Sequence, residues 1–258
     1  MDDIIEMRGF TDYYKDKSNN YSRKLGGVVM KKVVLITGAT DGIGKALAVA
    51  LAKEYRLVLC GRSEEKMKAL LQEVGDACVY HACFDITNDV KRHEFCTDVK
   101  EKVGNVDVLV NNAGANTKKD RVTDIDLDDL RYMFELNCVS SLGMIQEIYP
   151  GMKEQGAGLI VNILSSCCLY HSPMAGSYTA TKKAMEGISK ILLKEVKNDN
   201  IGVCNVYPGG VDTNFRAIPN HNYLKPESVA KMIKACIENE EGCVHEIVHR
   251  PFIEDNIC

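Results

Sequence analysis

The sequence predicts an α/β fold: a doubly wound parallel sheet of about seven strands with helices on both faces, in a single domain. Three observations carry this. From Val33 onward, short β-branched runs alternate with longer stretches of helical period. Runs such as Val106-Asp107-Val108-Leu109-Val110 are apolar along much of their length, as strands covered on both faces must be. The first such run passes directly into a glycine-rich turn that opens a helix.

In chain order, strands are expected at 33–37, 56–60, 77–84, 107–111, 159–164, 201–207 and 244–249. Helices are expected at about 42–54, 64–74, 88–103, 126–154, 176–198 and 226–239. Repeats, low-complexity tracts and linkers are missing between these stretches, so residues 31–258 read as one domain. Residues 1–30 are polar, carry Tyr13, Tyr14 and Tyr21 among charges, and end in Arg23-Lys24-Leu25-Gly26-Gly27; they read as an N-terminal extension.

Composition narrows the function. A chain of 258 residues is long enough for one large core. A net charge of -4 and scattered Lys and Arg argue against nucleic acid or an anionic membrane as the main partner, leaving small molecules. The eleven cysteines are odd in number and irregular in spacing, so they are expected to be reduced thiols in a cytoplasmic protein. No stretch approaches the ~20 apolar residues of a membrane span, and the start lacks the basic and apolar blocks of a secretory signal.

The turn after the first strand reads Thr37-Gly38-Ala39-Thr40-Asp41-Gly42-Ile43-Gly44. Glycines here let backbone approach a pyrophosphate at a helix N-terminus. The spacing is G-x-x-x-G-x-G, a departure from the G-x-G-x-x-G dinucleotide fingerprint. At the end of the second strand an NAD-selective site would present an acid to the adenosine 2′-hydroxyl. This chain has Leu59-Cys60-Gly61-Arg62-Ser63, and the Arg62 guanidinium suits a 2′-phosphate, so NADP(H) is favoured over NAD(H). Asp41 and Glu64 are acids close to that position.

Tyr178 and Lys182 stand four residues apart, a spacing that puts them on one helix face. A free phenol titrates near pH ~10, and an adjacent ammonium favours its ionised form, giving a tyrosine that exchanges protons near neutrality. Ser165 lies thirteen residues upstream.

Together with Asn111-Asn112-Ala113-Gly114, Asn137 and Pro208-Gly209-Gly210-Val211-Asp212-Thr213, these motifs make the chain resemble the short-chain dehydrogenase/reductase family from about Val33 onward. The resemblance implies a Rossmann-like fold and an oxidoreductase that interconverts a carbonyl and an alcohol by hydride transfer. It implies that Ser165 hydrogen-bonds the substrate oxygen and Tyr178 gives or takes its proton. Lys182 lowers the phenol's pKa and holds the nicotinamide ribose, while Asn137 anchors a water in the proton path. Asp85, followed by Ile86, resembles the adenine-contacting acid. Asn112, Ala113 and Gly114 would line the cofactor, and Pro208, Val211 and Thr213 would flank the nicotinamide. Between Ser165 and Ser166, both the count from Asn162 and the count from Tyr178 select Ser165, although Cys167-Cys168-Leu169 replaces the family's small turn. The resemblance also implies a homodimer or homotetramer paired through the helices at 126–154 and 176–198.

Two other readings stay open: an NAD-dependent alcohol or hydroxysteroid dehydrogenase, and a non-catalytic nucleotide sensor on the same fold. Cys243, His245 and His249 alternate on the expected last strand without a visible fourth ligand, so no metal site is expected. His171 and His221 lie where they could touch substrate, and the short stretch from Thr213 to Pro226 suggests an open cleft.

Overall fold

A computed structural model describes residues 13–15, 21–25, 28–215, 220–239 and 241–254, the stretches before residue 31 by backbone alone. Those early residues form β1 (Tyr13–Lys15), β2 (Tyr21–Leu25) and β3 (Val28–Met30), a small antiparallel sheet that the polar sequence did not announce.

The main sheet has seven strands, all parallel: β4 (Val33–Ile36), β5 (Arg56–Gly61), β6 (Cys78–Cys83), β7 (Val108–Asn111), β8 (Gly158–Ile163), β9 (Ile201–Pro208) and β10 (Glu246–His249). Their spatial order is β10-β9-β8-β7-β4-β5-β6. The chain winds one way from β4 through β5 to β6, then returns to add β7 on the other side of β4. That reversal opens a crevice at the carboxyl ends of β4 and β7, the place where ligands bind in open α/β sheets.

Alternation along each strand sorts its side chains between two apolar layers. Val34, Ile36, Leu57, Leu59, Val161 and Val206 pack with α1 (Gly42–Leu51), α2 (Glu64–Val74) and α7 (Pro226–Glu238). Leu35, Val58, Leu109, Ile160 and Val203 face the other way, onto α3 (Asp89–Lys102), α5 (Ser140–Gln155) and α6 (Gly176–Glu195). Fully burying each such side chain contributes on the order of 1.5–3 kcal/mol.

The expected helix over 126–154 is divided. Asp126 caps α4 (Leu127–Phe134) by accepting from Asp128 N, and a π turn over Glu135–Val139 separates it from α5. The apolar pattern runs on through the π turn, with Leu136 and Cys138 buried, which is why periodicity alone reads one helix. Elsewhere the expected elements stand within a few residues of their predicted ends. The last strand begins at Glu246, so Cys243 and His245 precede it.

On the α5 and α6 side, three adjacent strands carry asparagines in register: Asn111 opposite Asn162, and Asn162 opposite Asn205. All are buried. Asn111 Nδ2 donates to Asn162 Oδ1 at 3.0 Å, Asn162 Nδ2 donates to Ser189 Oγ at 2.8 Å, and Ser189 Oγ donates to Asn205 Oδ1 at 2.5 Å. This chain fixes the registry of β7, β8 and β9 against α6, directly below the loops that carry the site. Asn162→Ala leaves buried donors of Asn111 and acceptors of Ser189 unpaired, a cost of about 1–3 kcal/mol for each such group. Urea unfolding should show a loss of at least that size, and an unchanged midpoint would refute the linkage.

Candidate active site

The loop after β4 is shaped by contacts no larger residue would tolerate. Gly38 has φ +62°, and a Cβ there would stand 2.9 Å from Ala113 Cα; at Gly44 it would stand 2.4 Å from the Gly38 carbonyl oxygen. Asn112 locks this loop to the end of β7. Its Nδ2 donates to the carbonyls of Thr37 at 2.9 Å and Gly38 at 3.0 Å, while the backbone N–H groups of Asn112 and Ala113 both donate to Thr37 Oγ1 at 3.0 Å. Thr37 was missed in the sequence; its only signal there was a hydroxyl at the strand end before the first glycine.

Asp41 caps α1 by accepting from Gly42 N at 2.7 Å, and its carboxylate also takes hydrogen bonds from Lys66 and Asn214. Burial pushes its carboxyl up, but the bonds from Lys66, Asn214 and Gly42 outweigh this and hold it below the usual range. Ile43 packs against the apolar layer beneath α1. Thr213 lies across from the glycine loop: a Cβ on Gly42 would be 3.2 Å from Thr213 Cγ2.

Arg62 follows β5, and its Nη1 donates to the Tyr132 hydroxyl at 3.2 Å. Thr40 packs on the neighbouring Gly61 so closely that a Cβ there would sit 2.7 Å from Thr40 Cγ2. Past β6, Asp85 Oδ1 accepts from Thr87 N and Thr87 Oγ1, and Ile86 is buried. Pro208 ends β9 opposite His249, and Val211 bridges to Leu224. The predicted cofactor residues therefore lie along one edge, at or just beyond the carboxyl ends of β4, β5, β6, β7 and β9. The glycine cradle, open to backbone approach at a helix N-terminus, fits a dinucleotide pyrophosphate.

The second group gathers around α6. Lys182 is 5% exposed, its Nζ donates to the Ile163 carbonyl at 2.8 Å, and it lies 5.9 Å from the centroid of the Tyr178 ring. Burial lowers its pKa to about 8, against an opposing pull from the nearby thiols of Cys167, Cys168 and Cys138. The Tyr178 ring meets Phe215 with centroids 5.9 Å apart.

Asn137 sits in the π turn, 1% exposed. Its Nδ2 donates to the Ala115 carbonyl at 2.8 Å and to Thr181 Oγ1 at 3.0 Å, and its Oδ1 accepts from Ala115 N at 2.9 Å. A Cβ on Gly114 would come within 2.7 Å of Asn137 Oδ1 and 3.2 Å of Lys182 Nζ, so the Gly114 backbone lies close to both side chains. Thr181 and Ala115 escaped the sequence reading: one is an ordinary helix threonine, the other acts only through its backbone.

Ser165 follows β8 in extended conformation, and its Oγ accepts from Cys167 N at 3.2 Å, capping a single 3-10 turn over Ser166–Cys168. The Cys-Cys sequence thus makes a compact turn in place of a glycine loop. His221 pairs with Asp212 at 3.1 Å on the surface, and His171 is exposed. Among the described residues no cluster of His, Cys, Asp or Glu is arranged to hold a metal ion, and no helix is long and apolar enough to cross a membrane.

Residues 32–223 match the family described as short chain dehydrogenase. The chain belongs to the short-chain dehydrogenases. Members of this family are oxidoreductases, and the chain is 31% identical to an uncharacterized oxidoreductase of Staphylococcus aureus (strain USA300), over 87% of this chain and 99% of that protein. Among solved structures it resembles an alcohol dehydrogenase from the archaeon Thermococcus sibiricus complexed with 5-hydroxy-NADP, with TM-score 0.79, 28% identity, and coverage of 87% of this chain and 98% of the other. It also resembles ElxO with NADP bound, with TM-score 0.77, 27% identity, and coverage of 85% and 97%. In this short-chain dehydrogenase the candidate site residues lie by the reversal of strand order between β4 and β7.

The buried Lys182 carries a test with a definite sign. Its folded pKa of about 8 lies below the unfolded lysine value of ~10.4, so the folded chain holds fewer protons between those limits. The burial penalty is full below about pH 8 and fades as pH rises toward ~10.4. The difference in Tm between the wild-type chain and Lys182→Met should therefore move in favour of the wild type from about pH 7 to about pH 10. A flat or opposite trend in thermal scans would contradict the burial of a charged ammonium.

Proposed function

We propose that the protein is an NADP(H)-dependent oxidoreductase that interconverts a carbonyl compound and a secondary alcohol, with Tyr178, Lys182, Ser165 and Asn137 as its working side chains. The observation that carries this reading is the buried Lys182 ammonium beside the Tyr178 ring, at the mouth of the crevice above β8. A cation shielded from water stabilises a nearby phenolate far more than a solvated one does.

In reduction, the Tyr178 phenol gives its proton to the substrate oxygen, and in oxidation the phenolate takes it back. Ser165 Oγ has an extended backbone and a capped turn to hold it, and donates a hydrogen bond to the oxygen as negative charge develops. Lys182 keeps the phenol's pKa low, and its bond to the Ile163 carbonyl keeps the ammonium aimed at one place. Asn137 braces Ala115 and Thr181 and lines the route by which protons reach solvent. NADP(H), when bound, supplies or receives the hydride.

The preference for the 2′-phosphate rests on two features. Arg62 is hydrogen-bonded to the Tyr132 hydroxyl and paired with no carboxylate among the described residues, so its charge remains available to a phosphate, whereas Lys66 is paired with Asp41. Thr40 occupies the space above Gly61, so an acid at the end of β5, as NAD selection uses, would require Thr40 to move. The neighbours crystallised with NADP or an NADP derivative accord with this.

NADPH oxidation against a panel of ketones, keto acids, keto sugars and ketosteroids tests the activity. Tyr178→Phe should lower turnover on any accepted substrate by about 10²–10⁴-fold while NADPH still binds. Arg62→Asp should shift the NADPH to NADH ratio of kcat/KM toward NADH. An unchanged ratio removes the account of cofactor choice, and undiminished turnover in Tyr178→Phe removes the mechanism.

A further inference from the structure

One cation lies inside the protein and outside the mechanism above. Arg92, near the start of α3, is the one buried arginine among the described residues, 8% exposed. Its Nη1 donates to the Ile86 carbonyl at 3.1 Å, and its Nη2 donates to Asp89 Oδ1 at 2.6 Å. The guanidinium lies flat on Gly143, in the interior of α5: a Cβ there would stand 2.5 Å from Arg92 Nε and 2.6 Å from both Cζ and Nη2. Nε is buried and has no hydrogen-bond partner.

A buried guanidinium with an unpaired donor is a poor way to fill space. Apolar side chains of similar volume replace buried ion pairs at little cost or with a gain in stability, so packing alone gives no reason for a charge here. The carbonyl it holds does give one. Ile86 belongs to the loop between β6 and α3, whose other bonds run between near neighbours: Asp85 Oδ1 accepts from Thr87, Asn88 N donates to the Asp85 carbonyl at 3.0 Å, and Asn88 Oδ1 accepts from Lys91 N. Arg92 adds a brace that reaches further. Wedged between Ile86 and Gly143, the guanidinium sets how far the loop stands from α5.

The loop's place in the sheet decides what it serves. With a pyrophosphate at the glycine cradle after β4 and the hydride chemistry beside α6, the adenosine half of a dinucleotide runs the other way, over β5 and β6. Arg62 stands at the end of β5, and Asp85 and Ile86 stand just past the end of β6.

We propose that Arg92 is a positioning residue for the adenosine half of the cofactor, holding the Asp85-Ile86 backbone in place through the Ile86 carbonyl, with Gly143 providing the hollow that the guanidinium occupies. The proposal rests on the dinucleotide reading of the crevice. Arg92 and Gly143 act as one unit: a side chain on α5 at this point pushes the guanidinium aside and releases the loop.

Binding of 2′,5′-ADP and 5′-AMP, two probes that carry adenosine without nicotinamide, is measured by titration calorimetry on the full chain. In Arg92→Met both dissociation constants should rise about tenfold and KM for NADPH should rise with them, while kcat at saturating NADPH stays within about twofold. Turnover with reduced nicotinamide mononucleotide, which lacks adenosine, should be equally unaffected. Arg92→Lys, which keeps a charged donor, should recover part of the loss. Gly143→Ala should reproduce the loss in the wild-type background and add nothing to Arg92→Met, as expected of a coupled pair, and it carries the test if Arg92→Met fails to fold. Unchanged nucleotide binding in either variant overturns the proposal. An equal fall in turnover with reduced nicotinamide mononucleotide also overturns it, because a general loosening of the fold would act on both halves of the site. A wild-type chain that binds neither adenosine probe overturns the dinucleotide reading itself, and the proposal with it.

Discussion

The site depends first on a clasp between two strand ends. β4 and β7 are neighbours in the sheet, yet the chain leaves them in opposite directions around it, so nothing in the covalent path keeps their loops together. Thr37 and Asn112 supply that link with four hydrogen bonds: two backbone N–H groups converge on one hydroxyl, and one side-chain amide reaches two carbonyls. Each satisfies a backbone group that a tight glycine turn would otherwise leave without a partner. The glycine cradle, the Gly114 turn and therefore the distance between cofactor and catalytic helix all take their position from this junction.

A second constraint is electrostatic. Placing an ammonium in the interior opposes folding, and Lys182 is tolerated because the Ile163 carbonyl accepts a hydrogen bond from it and the turn at Gly114 packs close to it. The neighbouring polar chain through Asn111, Asn162, Ser189 and Asn205 makes the surrounding sheet rigid enough to hold that arrangement. Stability and chemistry are coupled here: the strands that fix the lysine's partner are the same ones whose buried amides lock the sheet to α6.

Much of this was legible in the chain. The alternation of strand-like and helical stretches announced the seven-stranded parallel sheet, and the glycine-rich turn was expected where the first of those strands passes into a helix. Other features left no one-dimensional trace. Thr37, Thr181 and Ala115 act through hydrogen bonds to residues distant in sequence, and a common residue type gives no sign of its partner. The antiparallel sheet before residue 31 is built from residues whose polar character masks strand propensity.

The π turn at Asn137 has a consequence for how this scaffold tolerates change in length. It offsets the angular phase of the helix, so α4 and α5 each keep their own buried stripe while one amide is turned toward Gly114 and Ala115. A π turn takes up one residue more than an α turn, so a single deletion between Phe134 and Ser140 is absorbed by its closing to α geometry, with Met144, Ile145, Ile148 and Met152 still on the sheet. What such a deletion removes is the outward turn of the Asn137 amide toward Ala115, so the segment's extra residue serves the site and not the core.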